Sequence, residues 1–71
     1  MRKNARLPRI LGKRIKKLRL KAGLTQEELA ERVRISRAYM GYVEQGRNTP
    51  SLEVLQKIAK ALKISPAELL K

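Results

Sequence analysis

The chain contains no cysteine, no histidine, no phenylalanine and no tryptophan. Disulfides and thiolate ligands are therefore excluded, and a zinc site or a Ser-His triad lacks its usual side chains. Six acidic residues scattered along the sequence supply no catalytic constellation in their place. The expectation is a protein that is not an enzyme and holds no cofactor or metal. No apolar run approaches the roughly 20 residues that a membrane-spanning helix needs, and the basic N-terminus is not followed by the apolar block of a signal peptide. The lack of cysteine also fits a reducing compartment, so a soluble, cytoplasmic protein with no membrane partner is expected. Alternation with β-branched and aromatic residues, the mark of strands, is missing throughout, which leaves an all-α fold.

Acid is also absent from one region. Residues 1 to 21 carry Arg2, Lys3, Arg6, Arg9, Lys13, Arg14, Lys16, Lys17, Arg19 and Lys21 with no Asp or Glu, whereas the remainder has eight bases against six acids. The net charge of +12 thus sits mainly in the first third. Such a balance suits a partner that is a polyanion. At 71 residues the chain makes one domain near the lower limit for independent folding, so a partner subunit is also plausible on size.

What is present is a set of five helix signals. From about Pro8 to Ala22, Leu11, Ile15, Leu18 and Ala22 recur at spacings of three and four, and Gly23 follows as a C-terminal cap. In "LTQEEL" Thr25 caps the next helix, Glu28 closes a capping box and Leu24 staples Leu29. In "ISRAYM" Ser36 is the cap and Ile35 lies over Met40; this third helix stops at Gly46. A fourth helix starts either at Thr49 with Pro50 in first position or at Ser51, and shows Leu52, Leu55, Ile58, Ala59 and Leu62 on one face. "ISPAELLK" gives a short fifth helix, with Ser65 as cap, Glu68 completing a capping box and Ile64 stapling Leu69. Residues 1–8 read as a basic arm and 9–71 as a five-helix domain.

The stretch "SRAYMGYVE" holds both tyrosines and a glycine that costs its helix roughly 1 kcal/mol relative to Ala. On a helical wheel Met40 and Val43 share one side. Arg37, Ala38, Gly41, Tyr42 and Gln45 share the other, with Tyr39 on the flank. An arc of arginine, small residues, an aromatic hydroxyl and an amide is poor as core and poor as solvated surface. It suits the major groove, where small side chains permit close approach, Arg bonds a guanine edge twice, and Ala or a ring meets a thymine methyl. Two helices joined by a tight turn, the second with such a face, form a DNA-binding helix-turn-helix.

The run from "LTQEELAERVRIS" through "VEQGRNTPSLEVLQKIAKALKIS", with "IKKLR" upstream, resembles the lambda-repressor and Cro type, or Xre type, of five-helix domain. Within it "SRAYMGYVEQGRN" is similar to restriction-modification controller proteins. The resemblance implies a sequence-specific transcriptional regulator that binds double-stranded DNA at a palindromic operator as a homodimer. It places Arg37, Ala38 and Tyr42 as base readers and Gln26, Tyr39, Arg47 and Asn48 as phosphate contacts, with Gln26 able to brace Arg37. Ser36 and Gly41 complete the DNA-binding set. Arg19 and Glu44 occupy the places of an ion pair that supports it. Two positions depart from the pattern. Arg34 stands where the inter-helix turn usually has Gly, at a cost of about 1 kcal/mol if it turns left-handed, which leaves room for a reshaped turn. Gly41 removes a side chain from a reading position.

Three features admit more than one reading. Arg2, Lys3 and Arg6 form either a DNA-contacting arm or a solubilising tail, and the first helix alone reads as basic and amphipathic, as membrane-surface helices do. Leu11, Ile15 and Leu18 are needed to cover the second and third helices, which argues against a membrane. Ile64, Leu69 and Leu70 either finish the core or form a two-fold interface through the C-terminal helices. The alternative function is an antitoxin-type module that neutralises a toxin partner and autoregulates.

Overall fold

The computed structural model describes residues 6–70, and five helices account for most of them. They are α1 (Arg6–Lys21), α2 (Gln26–Val33), α3 (Arg37–Glu44), α4 (Leu52–Leu62) and α5 (Pro66–Leu70), with no strand among the described residues. Of the arm expected over residues 1–8, Arg6, Leu7 and Pro8 belong to α1 instead, and residues 1–5, Arg2 and Lys3 among them, lie outside the described range. Pro8 falls in the first turn of α1, whose N–H groups have no carbonyl four residues back within the helix, so its missing N–H costs no helical bond.

Each start follows from a local hydrogen bond. Thr25 Oγ1 accepts from the Glu28 N–H at 3.0 Å while Glu28 Oε1 accepts from the Thr25 N–H at 2.8 Å, so the capping box closes. Ser36 Oγ accepts from Tyr39 N–H at 2.9 Å. Of the two starts open for α4, Ser51 is the one used, its Oγ accepting from Val54 N–H at 3.1 Å. The start of α5 differs from expectation: Glu68 N–H goes to the backbone carbonyl of Ser65, at 3.0 Å. Each side-chain cap stabilises its helix by about 1 kcal/mol relative to Ala.

The stops share one geometry. Within two residues of the ends of α1, α2, α3 and α4 the chain turns left-handed, at Gly23, Arg34, Gly46 and Lys63, and the next N–H reaches back five residues in the Schellman pattern. For Arg34, with φ 65° and ψ 43°, this settles the turn between α2 and α3. The backbone keeps the left-handed turn that Gly would make without strain, and the contact of the Arg34 Cβ with the backbone carries the cost. A cation there faces the negative end of α2, which offsets part of the cost.

The short turns fold α3 between α1 and α2; α4 then covers α2, and α5 closes against both α4 and α1. Their common core is aliphatic: Ile15, Leu29, Val33, Met40, Val43, Ile58 and Leu69 are the large side chains sealed within it. Each contributes about 1.5–3 kcal/mol by leaving water, which lets so short a chain hold a shape with no aromatic fully buried. Leu24, Ile35 and Ile64 pack against this core as the three staples require. Two apolar positions do not. Ala22 is exposed, and Leu52, expected on the core stripe of α4, is 64% exposed, although Val54 and Leu55 in the same turn meet the core.

Candidate nucleic-acid interface

On α3 the buried side chains are Met40, Val43 and Glu44, while Arg37, Ala38, Tyr42 and Gln45 are exposed. Gly41 and Tyr39 are half-buried, and Tyr39 packs against the core. The helix therefore presents the polar arc that its sequence periodicity predicts. A Cβ placed on Gly41 would meet only Gln26 Oε1 at 3.9 Å and Gln45 Nε2 at 4.0 Å, ordinary contacts. Nothing in the fold asks for glycine at this position.

The orientation of that arc is fixed from behind. Arg19, buried in α1, donates from Nε to Glu44 Oε2 at 2.7 Å and from Nη2 to Glu44 Oε1 at 3.1 Å, and from Nη1 to the Leu24 carbonyl at 2.8 Å. Gln26 Nε2 donates to the same Glu44 Oε1 at 3.0 Å. One carboxylate thereby ties α1, the following loop, the first residue of α2 and the last residue of α3. Among the described side chains no buried polar atom is left without a partner, which is the condition under which a buried ion pair fixes geometry rather than destabilising it. Gln26 braces Glu44 and not Arg37, a correction to the expected bracing. Its amide donor goes into the frame, and its Oε1 lies beside Gly41.

A second glycine, not singled out by motif, completes the frame. A Cβ on Gly12 would sit on the Val43 carbonyl oxygen and lie 2.6 Å from that of Glu44, so α1 meets the end of α3 backbone to backbone. The signal was available in the spacing: Gly12 precedes Ile15 and Arg19 by three and seven residues, on the inward stripe of α1. At the far end of α3, Arg47 and Asn48 are exposed with Tyr42 around a shallow hollow. The Arg47 guanidinium carbon stands 5.4 Å from the centre of the Tyr42 ring. Ser36 has two tasks available, since its oxygen caps Tyr39 and its own O–H remains free to donate.

Charge leaves this surface unneutralised. The described ion pairs are the buried Arg19–Glu44 and a loose Lys57–Glu53 contact at 3.8 Å on α4. In the capping box, the backbone bond from Thr25 and then its side-chain bond hold the Glu28 carboxyl below its usual range. The described residues hold no group of three or more carboxylates placed to bind a metal ion, and no described helix is long and apolar enough to cross a membrane.

The helix-turn-helix family model HTH_3 matches residues 15–69, which include all five helices from the middle of α1 onward. The chain belongs to that family. It is 44% identical over 54 residues to the immunity repressor protein of Bacillus phage phi105, covering 76% of this chain but 38% of the repressor. It superimposes on the restriction-modification controller protein C.AhdI from Aeromonas hydrophila with a TM-score of 0.85 and 42% identity, over 87% of this chain and 94% of that one. It also superimposes on SinR, a master regulator for biofilm formation solved in complex with DNA, with a TM-score of 0.81 and 34% identity, over 86% and 98% of the two chains. The protein is thus an Xre-type transcriptional regulator of a DNA-binding family, not of an enzyme family.

Proposed function

We propose that the protein is a cytoplasmic, sequence-specific regulator that binds a palindromic operator as a homodimer, with one α3 in each of two successive major grooves. The observation that carries this reading is the outward arc of α3, polar and small-residued, on a helix whose tilt is fixed by the Arg19–Glu44–Gln26 frame. Arg37, at the first turn, bonds a guanine edge; Ala38 and Tyr42 meet thymine methyls; Gly41 lets the backbone come close. Gln26, Ser36, Tyr39, Arg47 and Asn48 hold the phosphates on either side. Phosphate contacts supply much of the affinity and α3 the sequence choice. The basic residues that precede α1, Arg2 and Lys3, add charge that follows the duplex backbone.

The dimer reading draws on an apolar face. Leu69 enters the core, but Leu70 stays 62% exposed and shares a groove with Leu7, Pro8, Ile10 and Leu11 of α1 and Leu55 of α4. A second copy covering that groove is the dimer we propose, and to read two successive major grooves it must present its α3 helices about 34 Å apart, one turn of duplex. The same groove is what a toxin would occupy in the antitoxin reading. A partner chain copurifying in equal amount, with no self-association of the free protein, would favour that alternative.

The test is selection of bound duplexes from a random pool, then titration of the winner and a scrambled control over a salt series. An enriched palindrome that keeps an advantage of about a thousandfold supports the reading. Binding with no enriched sequence and only a steep salt dependence defeats it, because the basic charge would then be the whole DNA interaction.

A further inference from the structure

Gly46 turns the chain sharply at the end of α3, with φ +79°. No other residue fits there, since a Cβ would lie 2.8 Å from Arg9 Cα and 3.0 Å from Arg9 N on the neighbouring α1. The turn sends Arg47 back over the helix it has just left. Its N–H donates to the Tyr42 carbonyl at 2.8 Å, and its guanidinium stands over the Tyr42 ring at 5.4 Å. Two links, one from the backbone and one from the side chain, join the same two residues.

The consequence concerns Tyr42, which is 43% exposed at the tip of the outward arc. A tyrosine so exposed would otherwise sample several side-chain rotamers, and ordering it at the DNA would cost affinity. The stacked cation restricts the ring before DNA arrives. Its own position is set by backbone geometry that the Gly46 turn and the Arg9 contact fix. We propose that Arg47 is a positioning residue for sequence choice: its guanidinium holds the Tyr42 ring in the orientation that meets base edges. This rests on the operator-binding reading above, and it gives Arg47 a role beyond its charge near phosphate. A planar guanidinium stacks on a ring in a way that a compact, strongly hydrated ammonium does not. Charge and stacking can therefore be separated by Arg47→Lys.

The experiment titrates wild type, Arg47→Lys, Tyr42→Leu and the double variant against the selected operator and a scrambled duplex at one salt concentration. Thermal melts of the free proteins show that each is folded. Arg47→Lys should lower the ratio of operator to scrambled affinity about two- to fivefold, the range for an exposed cation over a ring, because any change in its phosphate contact falls on both duplexes and cancels in the ratio. Once Tyr42 is Leu, Arg47→Lys should have no further effect on that ratio. An unchanged ratio with Tyr42 present, or an equal drop with Tyr42 removed, overturns the proposal while leaving operator recognition intact. A wild type with no preference for the operator overturns both.

Discussion

Two glycines stand inside helices of this protein, and they are there for opposite reasons. Gly12 in α1 is enclosed, and a methyl group there would collide with the backbone of Val43 and Glu44. Gly41 in α3 has room for a methyl group, its nearest neighbours being the ends of two flexible glutamine side chains. Each costs its helix roughly 1 kcal/mol in conformational freedom. At Gly12 close packing of α1 on α3 offsets the cost. At Gly41 no contact among the described residues offsets it, and the close approach to DNA proposed above would supply the reason. The same residue type marks where one helix meets the protein's own backbone and where another is free to meet a partner's.

The largest effect should come from the frame that joins these two sites. Glu44 offers its backbone to Gly12 and its carboxylate to Arg19 and Gln26. Glu44→Ala would leave the buried Arg19 charge unpaired, and a loss of about 3–5 kcal/mol is expected in urea denaturation. A loss under 1 kcal/mol would mean that the frame does not hold α3, and the contrast between the glycines would lose its basis. Gly12→Ala comes next, at about 2 kcal/mol net, because the clash is with backbone and outweighs the gain in helix propensity. If that variant were as stable as wild type, α1 and α3 would not be in backbone contact.

On the other side of the comparison, Arg37→Ala should leave the melting temperature unchanged, since the side chain is exposed and holds nothing within the fold. Its cost should appear in operator affinity, at about 1–3 kcal/mol, with relaxed preference at one base pair. Equal losses on operator and scrambled duplex would remove Arg37 from the readers and leave it a phosphate contact.

These residues also show how far the sequence could be read. The caps at Thr25 and Ser36 were legible because each is a bond between residues three apart, written in the local string, whereas that string left Ser51 and Thr49 both open for α4. The outward face of α3 was legible for a similar reason, since helical periodicity alone separates Met40 and Val43 from Arg37, Ala38 and Tyr42. Periodicity carried too far at Leu52, which keeps the spacing of the core stripe but is 64% exposed at the first position of α4. The bond from Gln26 to Glu44 spans 18 residues, and no local rule selects Glu44 over Arg37 as its partner. Arg34 looked like a break in the turn, yet the Schellman bonds, Ile35 N–H to Ala30 carbonyl at 3.0 Å among them, hold the backbone left-handed regardless. Local bonds and periodicity could thus be read, whereas contacts between distant segments had to be seen.

The smallest effect is the one that decides the comparison. Gly41→Ala fills open space on a helix, so it should stabilise the free protein by up to about 1 kcal/mol. If Gly41 is kept for close approach to a groove, the same variant should bind the operator more weakly although it folds better. Gly41→Glu should then abolish operator binding with little change in stability, because the added carboxylate meets phosphates and base edges while the fold accommodates it. Denaturation and titration of the same three preparations separate the possibilities. A stabilised Gly41→Ala with undiminished operator affinity would show that the glycine serves neither fold nor DNA, and a destabilised one would show that the face of α3 is turned inward. Stability and affinity moving in opposite directions is the result that no purely structural role for Gly41 can produce.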